Sequence, residues 1–161
     1  MNDEVDEVVR AWQRERSDMA LEPMHVWSRI DRLSGILDVH RKAAFSQHEI
    51  ESWEFDVLAA LRRAGEPYQL TPGQLLKETH VTSGTMTNRI DRLATRGAVT
   101  REPDPNDGRG VLVSLTRQGL MLVDAALESL LNLEATLLRG WEPEDRTKMA
   151  AYLRRLLLDA S

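Results

Sequence analysis

The residues best suited to chemistry gather in one short run. "SGTMTNRIDRL", Ser83 to Leu93, sets hydroxyls, an asparagine and two arginines within an aliphatic frame. At about 100° per residue, Met86, Ile90 and Leu93 fall on one stripe, which is the side a helix would bury. Gly84, Asn88 and Asp91 lie roughly opposite, with Arg92 beside them and Thr85 and Thr87 on the flanks. Ser83, Thr85, Thr87 and Asn88 occupy the first turns. A merely solvated face is usually rich in Glu and Lys. Small hydroxyl residues instead let a helix sink into a DNA major groove about 12 Å wide, where Asn and Arg meet base edges. Arg109 adds a second contact of the same kind. In "DPNDGRG" it is flanked by glycines, so its backbone can approach another surface, and its guanidinium suits a narrow, negative minor groove. Asp107, two residues earlier, could orient it.

Arg89 differs from these. It lies about 60° from the aliphatic stripe, nearer the core than the polar face. A charge at such a margin needs a partner, because burying it alone is costly. Asp56, next to Phe55 at the start of an otherwise apolar helix, is the candidate.

Other chemistries find little support. The four histidines, His25, His40, His48 and His80, have neither metal-ligand spacing nor a nucleophile beside them. There is no cysteine, and hence no disulfide, thiolate zinc site or thiol nucleophile. No glycine-rich phosphate loop is present. An enzyme is not expected, nor a metal or a cofactor.

The elements that would position the run can be read from caps and periodicity. Asp3 to Arg16 reads as a short helix with Val5, Val8, Val9 and Trp12. Pro23 opens the next, on which Val26, Ile30, Leu33 and Leu37 recur at helical spacing to about Phe45. Ser52 is placed as the cap of a third helix bearing Phe55, Leu58, Ala59 and Leu61 and ending near Gly65. In "TPGQLLKET", Thr71 is the N-cap, Pro72 the first helical residue and Gln74 the reciprocal cap partner. The Ser83 helix follows after a tight turn. "AVTRE" and "GVLVSLT" then read as the strands of a hairpin around a polar loop. Thr116 caps a long helix through Leu138, and Pro143 starts a last one. This order is that of a winged helix-turn-helix: mainly α, with a small β-hairpin wing.

The chain is long enough for one domain. Its formal charge of −5 argues at first against a nucleic-acid partner, but the charge is uneven. Residues 1–56 carry 7 bases and 13 acids, whereas residues 81–117 carry 6 arginines and 4 acids. A phosphate meets the local charge, not the average. The acidic "MNDEVDEVVRAW" is unlike a signal peptide and no long apolar run is present, so a cytoplasmic protein is expected.

"TSGTMTNRIDRL", followed by "RGAVTREPDPNDGRGVLVSLTRQG", resembles the MarR family of bacterial transcription regulators, over essentially Pro23 to Leu158. The resemblance implies a homodimer presenting two recognition helices to a palindromic operator, usually as a repressor that a small ligand releases. On this basis residues 1–161 form one MarR-type domain. It comprises an extra N-terminal helix (1–18), dimerisation helices (19–50 and 116–161) and the winged helix-turn-helix (51–115). Ser83, Thr85, Thr87, Asn88, Arg92 and Arg109 would meet double-stranded DNA. "VRAWQRER", "EFDVLAALRR" and "TMTNRIDRL" together resemble the urate-responsive branch of the family. That branch implies a site for urate or a related purine anion built from Trp12, Asp56, Arg89 and Arg101. Trp27 and Trp53 depart from its pattern. Two other readings stay open: a regulator sensing a different aromatic anion, and a dimeric interaction module that does not bind DNA.

Overall fold

Caps set the ends of most helices in the computed structural model, which describes residues 2–79, 81–105 and 110–160. The Asp3 carboxylate accepts the backbone N–H groups of Val5 and Asp6, and Asp6 accepts that of Asp3, opening α1 (Glu4–Glu15). The next helices are α2 (Glu22–Ser46) and α3 (Ser52–Arg63). After β1 (Gln69–Leu70), Thr71 and Gln74 exchange reciprocal hydrogen bonds of 2.8 and 3.2 Å at the start of α4 (Pro72–Thr79). Then come α5 (Ser83–Thr95), β2 (Val99–Pro103) and β3 (Val111–Leu115). The Thr116 hydroxyl accepts the Gly119 N–H to open α6 (Arg117–Leu137), and Pro143 begins α7 (Pro143–Asp159). Gly65 and Gly97, with φ of 77° and 73°, follow α3 and α5 in the left-handed conformation that ends a helix at low cost.

Two local expectations change. The cap of α3 is Glu51 rather than Ser52, which is already helical. Glu54, three residues on, accepts the Glu51 N–H at 2.8 Å, and that reciprocal bond sets the start one residue earlier. The hairpin also gains a strand. β1 pairs antiparallel with β3, giving the order β1-β3-β2 with Gln69 opposite Ser114 and Arg101 opposite Val113. Two residues of strand in "GEPYQL" are too short for a period-2 pattern to show.

The contacts divide the chain into two units, Met1–Ala43 and Ala44–Ser161, with the boundary inside α2. In the second unit Phe45 stacks on Phe55 with centroids 4.4 Å apart. Around them Leu58, Leu61, Leu75, Met86, Ile90, Leu93, Val113 and Val123 form the buried cluster. α6 closes against the wing through Gly119, where an added Cβ would lie 2.0 Å from the Ala98 carbonyl oxygen. Much apolar surface nevertheless stays outside. Val26, Leu33 and Leu37 of α2 are exposed, as are Leu131 of α6 and Leu153, Leu157 and Leu158 of α7. None of the described helices is long and apolar enough to cross a membrane.

Within the first unit, ion pairs join the start of α1 to α2. Arg29 reaches Asp3 and Asp6, each at 2.8 Å, and Arg32 reaches Glu4 at 3.3 Å. The Arg29 guanidinium holds the Asp3 carboxyl below its ordinary 3.8, and Arg32 does the same for Glu4 from 4.5. Asp6 is lowered first by the Asp3 N–H and then by Arg29. Carboxyls depressed in the folded state stabilise it fully above their ordinary values and cease to do so as pH falls through the depressed ones. Hydrogen-exchange protection of the α1 amides should therefore hold from neutral pH to about pH 5 and fall steadily below about pH 4. Protection that is flat across that acid range would contradict this account.

Candidate nucleic-acid interface

The run from Ser83 to Leu93 lies in α5, seated on α4 and β2. Met86, Ile90 and Leu93 are at most 1% exposed, so the aliphatic stripe is the anchored side. Ser83, Gly84, Thr85, Thr87, Asn88, Asp91 and Arg92 are exposed. The hydroxyls are preset: Thr85 shares a 3.0 Å hydrogen bond with Thr82, and Thr87 donates to the Ser83 carbonyl oxygen at 3.2 Å. Each of these hydroxyls keeps further hydrogen-bonding capacity. Among the described residues the Asn88 amide has no hydrogen-bond partner, which leaves its donor and its acceptor for an external group.

The arginines around this face are held from below. Arg92 donates to Glu51 at 2.7 Å, and its guanidinium lies 4.7 Å from the Trp53 ring centroid. That hydrogen bond, followed by one from Trp53, holds the Glu51 carboxyl below the usual range. Arg89 is half-buried, as its margin position implies, with its guanidinium 5.4 Å from the same indole. The Trp53 ring is thus a neighbour of Arg89 that a search for a charged partner does not foresee. An aromatic face offers a cation a partner without a second charge to desolvate. Asp56 is half-buried on α3. Arg101, on β2, forms a close ion pair with Asp91 of α5, tying the base of the wing to the helix. Trp12 belongs to the first unit, on α1, and is 49% exposed. Arg109 and Asp107 at the wing tip, and His80 before α5, lie outside the described residues. Among the described residues no cluster of three His, Asp or Glu could hold a metal ion.

One interaction was missed in the sequence. Glu54 is 2% exposed, and both its carboxylate oxygens accept from Arg96 Nη1, at 3.0 and 3.1 Å. The same nitrogen donates to the Glu49 carbonyl oxygen at 2.8 Å. With the Glu51 N–H, these bonds satisfy a buried charge and fasten the end of α5 to the start of α3. The available signal was Glu54 itself, an acid three residues after a cap position at the head of an apolar helix.

A MarR family model matches residues 48–110, which contain α3 to the wing. The chain is 35% identical over 153 residues to the HTH-type transcriptional regulator PecS of Dickeya dadantii, covering 95% of this chain and 92% of that one. Among solved structures, a mutant of Escherichia coli MarR complexed with operator DNA superposes with a TM-score of 0.73 at 28% identity. The match covers 85% of this chain and 96% of that one. Bordetella bronchiseptica BpsR, whose DNA binding is regulated by 6-hydroxynicotinic acid, gives a TM-score of 0.69 at 25% identity over 81% and 91% of the two chains.

Breaking the Glu54–Arg96 pair from the arginine side leaves a buried carboxylate uncompensated. Loss of one partner of a fully buried pair costs about 3–5 kcal/mol, and here water reaches Arg96, which is 37% exposed. Arg96→Ala should lower the unfolding free energy by about 2–3 kcal/mol in urea denaturation. A loss within experimental error would show that the carboxylate is satisfied without it.

Proposed function

The chain belongs to the MarR family of DNA-binding transcription regulators, and we propose that it works as a homodimeric repressor of a palindromic operator, released by a small aromatic anion. One observation carries the DNA-reading part: α5 buries Met86, Ile90 and Leu93 and turns Ser83, Thr85, Thr87 and Asn88 outward. The first turns of the second helix in a helix-turn-helix are those that meet base edges. Asn88 would read a base, the hydroxyls would take base edges or phosphates, and Arg92 and Arg109 would meet the backbone and minor groove. The apolar faces left open on α2 and on α6 and α7 support a twofold mate, since exposed apolar area on this scale marks an interaction surface.

For the effector we infer a planar anion, urate or a related purine, recognised through Arg89 and Arg101 with Asp56. Arg89 supports this role because it shares a rigid helix with Thr85 and Asn88. An anion that draws its guanidinium from the Trp53 ring would turn the reading residues with it. Release requires the ligand to prefer the non-binding arrangement, and about 1–3 kcal/mol of coupling is typical. The regulation of BpsR by 6-hydroxynicotinic acid supports a second choice within the same class, an aromatic carboxylate.

A gel shift with fragments of the protein's own upstream region tests both parts. Binding should weaken steeply as salt rises. Asn88→Ala should cost about 1–3 kcal/mol on the operator and little on unrelated DNA. A protein that retards no fragment would be the interaction module instead. Competition with urate, xanthine, salicylate and nucleotides then identifies the effector class. Arg89→Ala should retain operator binding and lose the ligand response. If it loses operator binding alone, Arg89 has no sensing role.

A further inference from the structure

Glu51, the cap of α3, and Trp53 in its first turn both converge on Arg92. The carboxylate accepts from Arg92 Nη2 at 2.7 Å, and the indole underlies the guanidinium at 4.7 Å. We propose that Glu51 stands in for an operator phosphate: it holds Arg92 in the free protein and gives it up to the DNA backbone on binding. The inference rests on α5 being the reading helix.

Three observations carry it. First, both members of the pair face water, with side chains 54% and 58% exposed, so the bond is weak and open to a competitor. The nearby Glu54–Arg96 pair has the opposite character, its carboxylate being 2% exposed. Second, Arg92 follows Asn88 by one helical turn on the exposed face, where an anion arriving with the groove would meet it. Third, the Trp53 ring supports the guanidinium from its own side, whichever anion accepts at the edge. Exchange of a carboxylate oxygen for a phosphate oxygen therefore needs no new arginine conformation. Arg89, on the same indole, adds to the field that keeps Glu51 ionised. The consequence is a regulator that is less adhesive than its arginines imply. Stray polyanions must displace Glu51, whereas an operator that seats α5 presents a phosphate at the right place.

The test is a set of salt titrations of operator binding by the full chain, the Glu51→Gln and Arg92→Ala variants and the double variant. Glu51→Gln should tighten binding by about 2–5-fold per subunit, the range of an exposed ion pair. Arg92→Ala should weaken binding and flatten the slope of log K against log salt by about 0.9 per lost phosphate contact. Glu51→Gln should then add nothing in the Arg92→Ala background. Glu51→Ser, which keeps a capping side chain, should behave as Glu51→Gln does if the latter disturbs α3. Unchanged or weaker binding by both Glu51 variants overturns the proposal. So does equal tightening with and without Arg92, which would be only the removal of a negative charge. An unaltered slope in Arg92→Ala overturns it too, because Arg92 would then never meet phosphate. Failure of the unaltered chain to retard any DNA would remove the α5 reading itself, an outcome distinct from these.

Discussion

Burial of Met86, Ile90 and Leu93 under α5 is the constraint from which the functional surface follows. Full burial of such side chains contributes about 1.5–3 kcal/mol each, so turning the helix by one residue would forfeit most of the anchoring of this segment. The same turn would bring Thr87 and Asp91, or Thr85 and Arg92, inside, where their polar atoms would lack partners. The helix is thus locked at one rotational setting, and the outward face is the complement of the inward one. Whatever reads DNA here does so because the aliphatic stripe leaves no alternative.

Around that anchor, charge is distributed by depth. The Glu54–Arg96 contact is dry on its acidic side and fastens α5 to α3, a positional role. Arg92–Glu51 and Arg101–Asp91 lie toward solvent, where ion pairs are weak and exchangeable. Arg89 sits between these extremes on an aromatic face. Residues 81–117 therefore carry less free positive charge than their arginines suggest, since carboxylates already occupy several of them. The net charge of −5 is thus an average over the chain, and the arginines around α5 must be weighed with the carboxylates beside them.

The order of helices, the Thr71–Gln74 box, the hairpin strands and the orientation of α5 were all legible, because each rests on local periodicity or capping within a few residues. β1 was not, being two residues long and held only by β3, far along the chain. Ser52 was misplaced as a cap because Glu is a less usual cap residue, and here it succeeds through the reciprocal bond with Glu54. The Trp53 ring beside Arg89 was overlooked for a related reason. A helical wheel gives the angle at which a side chain leaves, not what it meets, and a search for an opposite charge overlooks an indole. Trp53 was noted as a departure from a pattern and only the fold gives it work.

Exposed apolar side chains on α2, α6 and α7 bear on how an operator would be read. An operator read by one α5 offers a single groove contact, and one short helix recognises too few bases to single out a site. Two copies related by a twofold axis double the contact and fix the half-site spacing at a multiple of about 34 Å. The apolar side chains on α2, α6 and α7 are those a folded monomer would otherwise keep in water at a cost. Their burial against a mate would remove that cost.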